Sequence, residues 1–199
     1  MNIYFRNVNN LTAARFGAAT NLFALGYNCN PQHEKYIGFE QIALINDWVQ
    51  GIRTVGMFDH NVVEVINDAV KVNKFDLVEI TNNFSITQLQ HINCPKLMHI
   101  GLEHLEGLEV SFLDEVDGFI LACSGDLAFW QSNPKHVDGL KILNTQTPVF
   151  LNMTFDLLDF DALMALLNPF GVCVEANTET KVGIVDFDYI GDILDKLEV

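Results

Sequence analysis

Short apolar runs recur along this chain at nearly even spacing, and the stretches between them place hydrophobic residues at helical intervals. The runs read IYFR from near residue 2, NLFALGY from 21, IRTVGMF from 52 and FDLVEI from 75. KLMHI follows from 96, GFILAC from 118, PVFLNM from 148 and GVCVEA from 171. Most are apolar at successive positions, which predicts strands covered on both faces. Helices are predicted over Leu11–Ala19, Phe39–Trp48, Val62–Val72, Ile86–Ile92, Phe155–Leu167 and Phe187–Leu197. Asn10 before the first and Asp186 before the last are suitable N-caps. The stretches 102–116 and 127–144 fit the alternation less well, and Pro134 and Gly139 are expected to break the second.

Eight strands alternating with helices predict a parallel sheet, and eight repeats suggest closure into a (β/α)8 TIM barrel. The length sits near the lower limit for that fold, so its loops must be short. The rival is an open doubly wound sheet, but RNVNN follows the first strand where that fold has a glycine-rich turn. No linker or low-complexity segment divides residues 1–199, so one compact domain is expected.

Composition narrows the function. The net charge is −15, which argues against nucleic acid, whose affinity comes largely from lysine and arginine on phosphates. It argues equally against anionic lipid. A small phosphorylated ligand stays open, because one local cradle would hold it. No apolar stretch is long enough to span a membrane and no secretory signal is evident, so a cytoplasmic location is expected. Cys29, Cys94, Cys123 and Cys173 are widely spaced, which predicts reduced thiols and no zinc site. No cofactor is implied, and the sequence names no partner.

With the strands placed, the sequence resembles the phosphoribosylanthranilate isomerase family over most of its length. Residues 4–17 follow the family's opening K-I-C-G-x-T-x-x-x-D-A pattern in layout, with Asn10-Leu11 on its N-L pair. LFALGYNCNPQHEKYIGFEQ runs without a gap against A-D-A-x-G-F-x-F-x-x-x-S-x-R-Y-I, retaining Gly26, Pro31, Tyr36 and Ile37. TVGMF matches the V-G-V-F strand, and LVEIT stands where the family has V-Q-L-H-G. NPFGVCVEANTETKVGIVDF falls on the closing R-P-x-x-V-D-V-S-S-G-V-E-x-x-P-G-x-K-D, retaining Pro169, Glu179, Gly183 and Asp186.

The resemblance implies an Amadori rearrangement of a phosphoribosylated aromatic amine, and it implies which positions should do it. The general base, the cysteine of K-I-C-G, is here Arg6, with Asn7 for the glycine. The general acid, an aspartate ending the sixth strand, is here Ala122. The phosphate-holding S-G-G-L turn is Asn152-Met153-Thr154-Phe155, and the S-S-G turn is Glu175-Ala176-Asn177. The loop after strand six, SGDLAFW, is shorter than the family's glycine-rich one.

Proton transfer needs groups with pKa values near the working pH. Arginine stays protonated beyond about pH 12, and alanine has no proton to give. Phosphate needs bare amides at close approach, which glycine permits, and Glu175 would oppose it. A barrel that has lost the isomerase reaction and serves binding or interaction is the expected function. The alternatives are an active isomerase of tryptophan biosynthesis, or another enzyme built from Arg6, Glu79, Cys123 and Glu175.

Strand ends converge at the C-terminal face of a barrel, so Arg6 is expected to meet Glu79 or Glu175. It either neutralises an unused mouth or grips a ligand carboxylate. Lys35, Asn152, Thr154 and Asn177 complete the candidate pocket. Cys123 is a conceivable nucleophile, though a structural thiol fits it better. His99, Glu103 and His104 match no strong metal spacing. Lys35-Tyr36 is read as an exposed lysine beside a packing tyrosine. Phe58, Phe129, Trp130 and Phe155 are expected as core or as a plug for the old pocket.

Overall fold

The computed structural model describes residues 1–59, 62–176, 181 and 184–197. Its strands are β1 (Asn2–Arg6), β2 (Ala24–Asn28), β3 (Arg53–Phe58) and β4 (Leu77–Thr81). They continue as β5 (Lys96–Gly101), β6 (Gly118–Ala122), β7 (Val149–Asn152) and β8 (Gly171–Glu175). Each pairs in parallel with the next, and β8 returns to β1 with five residue pairs from Asn2↔Gly171 to Arg6↔Glu175. The sheet is therefore a closed (β/α)8 barrel with no free edge.

Helices α1 (Leu11–Ala19), α2 (Phe39–Trp48), α3 (Val63–Asn73) and α4 (Ile86–Gln90) fill the first four crossovers. A 3-10 segment (Leu102–Gly107) and α5 (Val110–Leu113) follow β5, while α6 (Leu127–Ser132) and α7 (Pro134–Gln146) follow β6. Helices α8 (Phe160–Leu167) and α9 (Asp188–Leu197) come after β7 and β8. The Asn10 side chain accepts the Ala13 N–H at 2.8 Å and caps α1, and Asp186 accepts from Asp188 at 2.9 Å ahead of α9. Among the described residues no helix is long and apolar enough to cross a membrane.

Three elements depart from the sequence reading. Pro134 opens α7 instead of breaking it, because a first-turn residue needs no N–H. Gly139 sits inside that helix, where a Cβ would come within 3.3 Å of Leu105 in the 3-10 segment. Helix α8 begins at Phe160, not Phe155: the Phe155 N–H donates to the Tyr189 hydroxyl, and Asp156 closes a turn by accepting from Leu158. Asn21, at φ 54°, still belongs to the turn after α1, so β2 starts only at Ala24.

The core has two shells. Ile3, Phe5, Leu25, Ile42, Leu140 and Leu163 belong to the large outer one between strands and helices. Each such side chain contributes about 1.5–3 kcal/mol relative to exposure. The smaller inner shell fills the barrel with Tyr4, Ala24, Val55, Leu97, Ile120, Phe150 and Cys173. Alternation along each strand then places Arg6, Glu79, His99, Ala122, Asn152 and Glu175 one level higher, at the C-terminal mouth, with Asn28 at the end of β2 a level above Gly26. A Cβ on Gly26 would lie 2.5 Å from the Tyr4 hydroxyl and 3.0 Å from the Met57 sulfur. The missing side chain lets the Tyr4 ring lie across the interior.

Candidate functional site at the barrel mouth

Arg6 dominates the mouth. Its Nη2 donates to Glu79 Oε1 at 2.5 Å and its Nε to Glu79 Oε2 at 3.1 Å, a two-point bond across the interior from β1 to β4. Its Nη1 donates to Glu175 Oε1 at 2.6 Å. Tyr4, one level below, donates its hydroxyl to Glu79 Oε2 at 2.9 Å. Asn7 donates to Glu175 Oε2 at 2.5 Å and accepts from Asn28 at 3.0 Å. Asn7 has φ 56°, the left-handed region that glycine and asparagine enter most readily, which explains asparagine at a family glycine position.

Burial penalises both members of the inner pair, but the pairing outweighs it. Burial alone would lower the Arg6 pKa, yet the charge and hydrogen bonds of Glu79 hold it well above the usual value. Burial alone would raise the Glu79 pKa, yet Arg6 holds it below the ordinary carboxylate value. His99 packs near this pair with Nε2 3.3 Å from the Asn152 amide nitrogen. Burial holds its pKa below the normal histidine value, with Glu79 opposing that shift.

Glu175 divides two clefts. One, of about 330 Å³, is lined by Arg6, Asn28, Met57, Glu79, Thr81 and His99 among others. The second, of about 300 Å³, is lined by Asn152, Thr154, Glu175, Asp186 and Tyr189 among others. In the turns that follow β7 and β8, the Phe155 amide is bonded to Tyr189 Oη at 2.8 Å and the Ala176 amide to the Arg6 carbonyl at 2.8 Å. Those amides are turned to protein acceptors, not to open space.

The structure thus brings together Arg6, Glu79 and Glu175, with Asn152 beside His99. Lys35 reaches the rim, its ammonium on the Ala176 carbonyl at 3.0 Å. Lys35 is half-buried and Tyr36 is exposed, the reverse of the sequence expectation, because Ile37 takes the buried position beside them. Cys123 stands apart from Arg6, 3.7 Å from the Met153 sulfur, and burial pushes its thiol up to about 12. Such a thiol is protonated near neutral pH. Asn177 lies outside the described residues.

His104 pairs with Glu103 at 3.3 Å on the surface, away from the His99–Asn152 contact, and no described His, Cys, Asp or Glu trio could hold a metal ion. Trp130 and Phe155 belong to the outer shell with Phe129 against it, and Phe58 packs on Phe75 at the cleft wall, so among the described residues no aromatic plug fills the mouth.

No protein-family model matches the chain, and no curated protein matches it in sequence. Solved structures do. The isomerase of Thermotoga maritima is 18% identical with a TM-score of 0.79, covering 100% of this chain and 98% of its own. That of Pyrococcus furiosus is 12% identical, TM-score 0.74, with the same coverage. A third, solved with reduced 1-(o-carboxyphenylamino)-1-deoxyribulose 5-phosphate, is 17% identical, TM-score 0.78, again covering 100% and 98%.

The chain has the fold of phosphoribosylanthranilate isomerase.

At these identities the likeness is one of fold, and the mouth shows how far the side chains have moved from what the isomerase family resemblance implies. Arg6 and Ala122 stand at the ends of β1 and β6, where that resemblance puts a base and an acid. Tyr4, Asn7 and Asn28 escaped the sequence reading. Counting back two residues from Arg6 would have placed Tyr4 on the same inner face.

Proposed function

We propose that this isomerase-fold barrel does not carry out the isomerisation and acts in the cytoplasm as a binding protein, as one domain over residues 1–199. The observation that supports it is the Arg6 guanidinium, bonded on three nitrogens to Glu79 and Glu175 at the position the resemblance gives to the base. A cation held that firmly takes no proton from a sugar carbon. Ala122 offers the ring oxygen no proton. In the turns that should hold phosphate, the Phe155 and Ala176 amides are bonded to Tyr189 and to the Arg6 carbonyl, and Glu175 adds a negative charge.

The test is a turnover assay of purified protein on phosphoribosylanthranilate, with complementation of an auxotroph lacking the isomerase. No turnover and no growth are expected. Growth on this gene alone would refute the reading.

A further inference from the structure

We propose that the cleft between Arg6 and the ends of β2 to β5 binds a small organic cation carrying an ammonium group. The proposal deepens the binding reading above and rests on it. The carboxylates Glu79 and Glu175 line the cleft against the single guanidinium of Arg6, a formal excess of negative charge among these three, and Asp59, which accepts from the Asn30 amide, lines it too. Three of the five N–H groups of Arg6 already face two carboxylates, whose two charges outweigh its one. His99 adds no positive charge near neutrality, burial holding its pKa low. The Lys35 ammonium is directed at the Ala176 carbonyl.

Acceptors for a cation are in place. Glu175 has a side chain 43% exposed, and each of its oxygens takes one hydrogen bond from Arg6 or Asn7 where it can accept two. Thr81 lines the same cleft, and its hydroxyl oxygen is buried without a partner among the described residues. Met57 and Phe58 supply an apolar wall for the hydrocarbon part of a ligand. The volume of about 330 Å³ is at the small end of ligand pockets.

The experiment titrates the full chain with benzylammonium, benzyl alcohol and benzoate, three probes of one shape and different charge, followed by backbone amide NMR at near-physiological salt. Benzylammonium is expected to shift Thr81, His99 and Glu175 saturably, with benzyl alcohol weaker and benzoate silent. Glu175→Gln should weaken benzylammonium roughly tenfold, the loss of one charged hydrogen bond. Thr81→Val, which keeps the shape, should weaken it less and serves if the first variant does not fold. Benzoate or benzyl alcohol binding as tightly, shifts that spread unsaturably over the acidic surface, or variants that bind unchanged would overturn the proposal. Isomerase turnover is scored separately: a protein that neither turns over nor binds benzylammonium loses only the cation assignment.

Discussion

Tyr4 and Arg6, two residues apart on β1, donate to the same oxygen of Glu79, at 2.9 and 3.1 Å. The carboxylate is 5% exposed, so almost all its hydration has been replaced by these donors and the Arg6 Nη2 contact. A buried pair of this kind contributes little over a hydrophobic pair of equal volume, but half of it is costly to leave behind.

Removing Arg6 alone should therefore be expensive. Arg6→Met is expected to destabilise the fold by about 3–5 kcal/mol in urea unfolding, because Glu79 is left charged and buried. Arg6→Met with Glu79→Leu should recover most of that loss. A double variant no more stable than the single one would show that Glu79 was not the source of the penalty.

Acid should weaken the protein in two steps. His99 has its folded pKa depressed below 6.5, so the unfolded chain takes up a proton first and stability falls as pH drops below that value. Glu79 is depressed below 4.5, so its stabilisation is complete above that pH and is lost as pH falls through its folded pKa. Melting temperature against pH should decline across both windows. His99→Gln should remove the upper decline and leave the lower one intact.

Gly26→Ala probes the space that admits Tyr4. The new methyl would stand 2.5 Å from the Tyr4 hydroxyl, on a ring that is fully buried. A loss of about 1–3 kcal/mol is expected from overpacking. Adding Tyr4→Phe should relieve part of it, since the colliding oxygen is gone. If Gly26→Ala melts like the parent protein, the close approach does not exist in solution.

Introducing the two groups that the resemblance implies should not create isomerase chemistry. Arg6→Cys with Ala122→Asp is expected to give no measurable isomerase turnover, because the Phe155 and Ala176 amides remain bonded to Tyr189 and Arg6 backbone. Crystals soaked in concentrated phosphate should show no ordered anion between residues 152–155 and 175–176. Density for phosphate there would mean that the turns can hold the phosphorylated ligand that the resemblance implies.

The barrel was legible because strands covered on both faces write continuous apolar runs, and α1 was readable to the residue from its Asn10 cap and spacing, α2 from spacing alone. Boundaries failed where a side chain outside the element claims a backbone group, as Tyr189 claims Phe155, or where proline starts a helix instead of ending one. The meeting of Arg6 with two glutamates followed from convergence of strand ends. The Tyr4 and Asn7 contributions did not, since an apolar-looking run hides which face a tyrosine hydroxyl serves, and a left-handed asparagine has no mark in sequence.

The pairing of β1 with β8 joins residues 169 apart, and Arg6 holds that end twice, its side chain donating to Glu175 and its carbonyl accepting from the Ala176 N–H. During synthesis, β1 must wait for nearly the whole chain before its second neighbour exists. Until then β1 and β7 each present an open edge able to capture strands from other chains. The charge of −15 supplies mutual repulsion between such unfinished molecules. The contact between Arg6 and Glu175 thus acts as a late latch on the nascent barrel, made only when the eighth strand arrives.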